Sequence, residues 1–233
     1  MNLFERLARL FGFGKPPEPQ VLAAPTQVLA APTHPSVPVA DTLDPSDDCL
    51  DLIKHFESLE LRSYPDPGSP LGHACTSRGL PMREYRAVDG WQNMDGTPWT
   101  IGYGETGPRV AEGMETTQLE ALRQLQHHVD YFADMVRGAL KGVHVTQGQF
   151  DALTSFAYNV GHGAAGVKDG LIELRSGGPS TLLRLTINGA TTVAADEFLK
   201  WTKARGVELP GLVRRRRTER EMYLSRDWRQ FLI

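Results

Sequence analysis

The chain has 233 residues, 40% of them hydrophobic, and a formal net charge of −3. That is enough apolar material for one good-sized core and a tail, and the charge by itself excludes no class of partner. The 2 cysteines lack metal-binding spacing, and the 7 histidines are scattered without a His-Glu-x-x-His run, so no metal-site pattern is present.

Residues 1–14 place Leu3, Phe4, Leu7, Leu10 and Phe11 on one helical face and Glu5, Arg6 and Arg9 on the other. The segment is too short to span a membrane and lacks the continuous apolar region of a signal peptide. It suits a helix that touches a membrane surface, docks on protein or stays frayed. From Lys15 the composition turns to Pro, Ala, Val and Thr, and Gln-Val-Leu-Ala-Ala-Pro-Thr occurs twice in tandem from Gln20. Two copies are too few for a stacked repeat. Pro16, Pro17, Pro19, Pro25, Pro32, Pro35 and Pro38 forbid a continuous helix, so 15–42 reads as an extended, semi-rigid linker and 43–233 as the folded domain.

Asp44 and Pro45 supply a cap and a proline for the first helical position. Cys49, Leu52, Ile53 and Phe56 then recur at helical spacing. Cys49 on that apolar face is expected to pack; a disulfide to Cys75 would require an oxidising compartment. Glu57 falls on the edge of the stripe. A carboxyl half out of water favours its protonated form, which is what a general acid needs at neutral pH. Asp66 follows in the turn Tyr64-Pro65-Asp66-Pro67-Gly68, where a side chain stays wet. Two carboxyl groups in contrasting surroundings suit glycoside hydrolysis, one to protonate the leaving oxygen and one to activate water or stabilise the oxocarbenium ion.

Residues 67–99 read as a long, irregular insertion rich in Gly and Pro, with one helical turn at Met82 to Arg86. Trp91 and Trp99 need something to pack on, either a sugar in a lid or a small cluster of the insertion's own. Trp99 to Gly104 then alternates as a strand, with Trp99, Ile101 and Tyr103 on one face and Thr100, Gly102 and Gly104 on the other. The nearly bare second face marks close approach of a ligand or another backbone, and Thr100 puts a hydroxyl on it.

The remainder is helical. Thr117 with Glu120 and Thr146 with Gln149 form capping boxes. The first opens a helix striped by Leu122, Leu125, Val129, Phe132 and Val136. The second opens one carrying Phe150, Leu153, Phe156 and Ala157 and closed by Gly161. Shorter helices are expected at 180–187, 194–204 and 212–224, punctuated by Gly206 and Pro210. From Phe198 to Ile233 there are 10 Lys or Arg against 4 Asp or Glu, a basic lobe that would suit an acidic substrate. Arg214 to Arg217 cannot all share one helix face.

The pattern Glu57, eight residues, Asp66, then Thr100 opening Thr-Ile-Gly-Tyr-Gly resembles the phage-type lysozymes, the endolysin glycoside hydrolases that cut the peptidoglycan sugar chain. The resemblance continues through Phe156-Ala157-Tyr158-Asn159-Val160-Gly161 and Leu209-Pro210-Gly211-Leu212-Val213-Arg214-Arg215-Arg216. It implies an α+β fold, with a small lobe holding an antiparallel sheet from about Leu61 to Tyr103, a larger helical lobe, and a cleft between them. It further implies Glu57 as acid, Asp66 as base or positioner of water, Thr100 as a second holder of that water, and Tyr158 and Asn159 facing the cleft as substrate contacts. An Arg of 214–217 would contact the catalytic Glu.

The implied protein is a monomeric muramidase acting on peptidoglycan, with no cofactor, no metal and no nucleic acid. It would be phage-encoded, made in the host cytoplasm, and act on the periplasmic cell wall in lysis or wall penetration. Two departures stand out: Pro67 to Trp99 separate Asp66 from Thr100, and Glu105 stands where the family commonly has His. By strand alternation Glu105 should point away from Thr100's face and pair with Arg109. The rival readings are a lytic transglycosylase, which needs only the acid, and a silent wall-binding or virion structural protein. Asp66 argues for water as the nucleophile, and the intact pair Glu57 and Asp66 argues for turnover.

Overall fold

The computed structural model describes residues 37–204 and 206–232. The amphipathic start and the tandem repeat lie outside the described residues. The folded unit begins at Val37, ahead of the boundary expected at 43. Ala40 is fully buried, its N–H donates to the Val143 carbonyl at 2.9 Å, and Val39 bridges His144. Proline-rich composition thus conceals a short segment that seals the core along a helix–helix connection.

The first helix, α1 (Asp47–Phe56), is capped at Ser46 and not at Asp44. Ser46 donates from its N–H (3.1 Å) and its hydroxyl (2.6 Å) to the buried carboxylate of Asp151, while Asp44 pairs with Arg137 at 3.0 Å. A tertiary partner for Ser46 overrides the local Asp-Pro signal. Cys49, Leu52 and Ile53 form the buried stripe, as their spacing requires.

A small lobe follows, built on an antiparallel sheet of β1 (Glu60–Pro65), β2 (Trp99–Gly102) and β3 (Glu105–Thr106). In register, Tyr64 stands opposite Thr100 and Ile101 opposite Glu105. The segment between β1 and β2 is not irregular. It contains α2 (Pro70–Ser77) and two 3₁₀ turns, Met82–Ala87 and Trp91–Asn93. Leu71, Cys75, Tyr85, Val88, Trp99, Ile101 and Val110 make a core of their own. The Tyr85 ring packs edge-on to Trp91 and Trp99, with centroids 5.3 and 5.1 Å away. Of the two expectations for the tryptophans, the segment's own cluster is the one realised.

The larger lobe holds α3 (Gln118–Ala139), α4 (Gln147–Val160), α5 (Thr181–Ile187), α6 (Thr191–Glu197) and α7 (Pro210–Tyr223). Both capping boxes form as read. Every residue of α4 from Gln149 to Ala157 is buried, which makes it the central helix, wrapped by the others. The helix expected to run to 204 ends in a 3₁₀ turn at Phe198–Lys200. The chain then forms a hairpin, β4 (Lys203–Ala204) with β5 (Val207–Glu208), turning through Gly206 at φ +81°. Cys49 and Cys75 are both free and buried, in separate clusters, so no disulfide joins them. The molecule has the α+β architecture anticipated: a helix-rich lobe and a small antiparallel sheet.

Candidate active site

Glu57 is the residue at which α1 stops. Its N–H still donates to the Ile53 carbonyl at 2.9 Å, and its side chain keeps 23% of its surface exposed. The carboxylate is held from behind by α7, where Arg215 Nη1 donates to Glu57 Oε1 at 2.6 Å. Arg214 and Arg217 of the arginine run are exposed, whereas Arg215 and Arg216 are buried at 3% and 0%.

Two buried guanidinium groups require acceptors, because an unpaired buried charge is very unfavourable. The i+4 and i+3 spacing along α7 supplies one in Glu219. Arg215 Nε lies 3.3 Å and Arg216 Nη2 2.8 Å from Glu219 Oε1, and Arg216 Nε stands 2.8 Å from Oε2, off the hydrogen-bond line. The Ser155 hydroxyl donates to Glu219 at 2.9 Å, and Asn159 Oδ1 accepts from Arg216 at 3.1 Å. Phe56 and Phe156 lie beneath the two guanidiniums at 5.6 and 4.8 Å. Burial pulls Arg216 down to about 10, against the pull of Glu219. Two cations and two carboxylates balance, and Glu57 is the only one of the four that reaches solvent to any extent.

The second carboxyl group belongs to the small lobe. Asp66 sits in an Asx turn, its Oδ1 accepting from the Gly68 N–H at 2.7 Å. The Asp66 carbonyl accepts from the Ser69 N–H (3.0 Å) and hydroxyl (2.7 Å), and Ser69 is also the N-cap of α2. A Cβ at Gly72 would stand 2.1 Å from that carbonyl, so only glycine lets α2 pack against the turn. The inserted segment therefore acts as a buttress that fixes Asp66.

Thr100 is buried on β2, directly opposite Tyr64 in register. The Tyr64 phenol is pushed up by burial first, then by the negative charges of Glu60, Glu57 and Asp66, while the neighbouring Thr100 hydroxyl pulls the other way. Tyr64 thus lies within the field of both carboxylates and stands beside Thr100.

The glycine face of β2 divides in two. A Cβ on Gly102 would meet Ala121 of α3 at 3.4 Å, whereas one on Gly104 would come within 3.5 Å of Glu57 Oε2. At Gly104 the bare face thus marks the approach of a carboxyl group.

Tyr158 donates its hydroxyl to the Tyr103 carbonyl at 3.0 Å, tying α4 to the β2–β3 turn. Its phenol is raised far above the ordinary range, by burial first and then by Glu57 and Glu105, with Arg215 offsetting part. Asn159 is exposed at the end of α4 while its oxygen holds Arg216.

Glu105 keeps the expected face but not the expected partner. The chain reverses at Tyr103–Gly104, with φ +64° at Gly102 and +86° at Gly104, and Glu105 pairs in register with Ile101, which puts it on the face away from Thr100. Glu105 makes no ion pair with Arg109 among the described residues, and it lies close enough to Tyr158 to act on its phenol. The basic balance after Phe198 is also largely cancelled locally. Lys200 pairs with Glu197, Arg220 with Asp196 and Glu221, and Arg229 with Asp48.

Sequence reasoning did not single out Ser155, Glu219 or Tyr64. An Arg-Arg-x-x-Glu spacing beside a serine in an otherwise apolar helix signals the first two, and strand register signals the third.

The Phage lysozyme family model matches residues 54–219. An endolysin of Bacillus phage B103 is 38% identical over 176 residues, covering 76% of this chain but 52% of that relative, so the chain spans about half its length. Among solved structures, the endolysin from Escherichia coli O157:H7 phage FAHEc1 superposes with TM-score 0.53 at 29% identity, covering 78% of this chain and 94% of that one. The muramidase domain of SpmX from Asticaccaulis excentricus gives TM-score 0.54 at 26% identity, over 78% and 97%. Within the described residues no helix is long and apolar enough to cross a membrane.

Proposed function

The chain belongs to the phage lysozyme family, and from that premise we propose that it hydrolyses the β-1,4 bond between N-acetylmuramic acid and N-acetylglucosamine in bacterial peptidoglycan. The observation that carries the reading is the Glu57 carboxyl group, partly open to solvent, clamped at 2.6 Å by a guanidinium that is itself buried and anchored on Glu219.

In this reading Glu57 protonates the glycosidic oxygen as the bond to the anomeric carbon breaks. Arg215 holds the acid in one rotamer and accepts the carboxylate that remains, so the charge that develops meets a partner already in place. Asp66, fixed by its Asx turn and by α2, takes the proton of a water that attacks the anomeric carbon from the opposite face, and Thr100 is the second holder of that water. Tyr64, opposite Thr100 in register, stands where it can set the direction of that hydroxyl. Tyr158 and Asn159 contribute to the helical wall on which the sugar chain rests, with Asn159 also fixing Arg216. The site of action is the bacterial cell wall, reached by an enzyme made in the phage-infected host and working as a monomer without cofactor or metal.

Digestion of purified peptidoglycan, with mass spectrometry of the new ends, tests this. Reducing N-acetylmuramic acid is expected. Anhydro ends would mean a transglycosylase, and absence of new ends would mean a protein that keeps the fold without turnover.

A further inference from the structure

One residue past Gly104, Glu105 lines a cavity of about 500 Å³ that it shares with Arg109 from the following loop and Gln124, His127 and His128 from α3. No step of the proposed mechanism uses this cavity. Glu105 Oε2 is buried and has no hydrogen-bond partner, and neither Glu105 nor Arg109 forms an ion pair among the described residues. A carboxylate oxygen removed from water and left without a donor is unfavourable, and such an atom calls for a donor supplied from elsewhere. Opposite charges on two walls of one cavity, each without a counterion, match a ligand that carries both signs.

We infer that this cavity receives the diamino-acid residue of a peptidoglycan stem peptide, its side-chain ammonium on Glu105 and its carboxylate on Arg109. A single buried oxygen suits the compact charge of a primary ammonium better than a forked guanidinium, and Arg109 offers the planar fork that a carboxylate accepts. The inference rests on the muramidase reading, since only a glycan at Glu57 would bring its peptide branch here. Gly104, whose added Cβ would stand 3.5 Å from Glu57 Oε2, directly precedes Glu105 in the chain, which places this cavity's acidic wall one residue from the reacting carboxyl's neighbour. The site would favour glycan strands that carry peptides over bare ones. An ion pair between Glu105 and His128 would supply the missing donor from within the protein and is the competing arrangement.

The test uses the full chain and a free stem tetrapeptide containing diaminopimelate, with and without acetylation of its side-chain amine, titrated by calorimetry against the wild type and Glu105→Gln. The wild type should bind the free-amine peptide at least about tenfold more tightly than the acetylated one, as a charge-assisted hydrogen bond implies, and Glu105→Gln should abolish that preference. Absence of binding, equal binding of the two peptides by the wild type, or a preference that survives in Glu105→Gln overturns the inference. So does a His128 titration that moves by about one unit in peptide-free Glu105→Gln, which would reveal the internal pair. Cleavage of peptide-free glycan strands scores the muramidase reading separately. A protein that cuts those strands and binds no peptide loses only this inference, whereas one that binds the peptide and cuts nothing loses the reading of Glu57.

Discussion

Replacing Arg215 by Met removes the guanidinium while keeping most of the stem's volume, and the structure sets the expected cost. Removing one partner of a buried ion pair typically costs about 3–5 kcal/mol, because the remaining charge is left without a counterion. Here Glu219 keeps Arg216, 2.8 Å from each of its oxygens, and Glu57 retains 23% of its surface to be solvated. The loss should therefore fall to about 2–3 kcal/mol, read from urea unfolding curves followed by tryptophan fluorescence. In a double-mutant cycle with Glu57→Gln the two substitutions should couple by about 1–2 kcal/mol, since each deletes the same contact. On peptidoglycan, kcat should fall about a hundredfold as Glu57 loses its fixed rotamer, with KM changed far less. A destabilisation below about 1 kcal/mol together with no coupling would refute the view that Glu57 is held by a buried, balanced charge cluster.

Three further outcomes follow from the geometry. Gly104→Ala places a Cβ at φ +86°, 3.5 Å from Glu57 Oε2. It should cost about 1–2 kcal/mol in stability, and lower the rate by more than that loss explains, in paired unfolding and lysis assays. A chain beginning at Val37 should melt like the whole protein, whereas one beginning at Leu43 loses Ala40 from the core and its bond to Val143, at about 1–3 kcal/mol by thermal unfolding. Burial, chiefly, raises the Asp151 carboxyl above its ordinary 3.8, with Asp48 adding to the rise and the bonds from Ser46 and Gln147 opposing it. The native state then binds that proton more tightly than the unfolded chain. Its contribution is complete below the ordinary value and is lost as pH rises through the raised one. Stability of the wild type minus that of Asp151→Asn should accordingly decline across that window, and a flat difference would contradict it.

The parts of the fold that were legible in the sequence are those written in local chemistry. Thr117 with Glu120 and Thr146 with Gln149 cap helices as their spacing demands, because both halves of each signal lie within one turn. The Trp99 strand and the Asx turn at Asp66 were legible for the same reason. The misplaced features depend on partners far along the chain. Asp151 draws the start of α1 to Ser46, and Val143 draws Ala40 into the body. At Glu105 alternation names the right face, that of Ile101, but not the surroundings, which come from α3 packing beside it. Arg215 could not be chosen from a run of four arginines until the burial of α7 was known, since only the packed face decides which guanidinium reaches Glu57.

The central claim is that Glu57 donates the proton that breaks the glycosidic bond. The most direct measurement is the rate at which Glu57→Gln releases reducing N-acetylmuramic acid from purified peptidoglycan, with circular dichroism confirming the fold. The amide is isosteric and its oxygen can still accept from Arg215, so the protein should remain folded while the rate falls by about 10²–10⁴, the loss of a general acid. A folded Glu57→Gln protein that releases those ends at close to the wild-type rate would contradict the account.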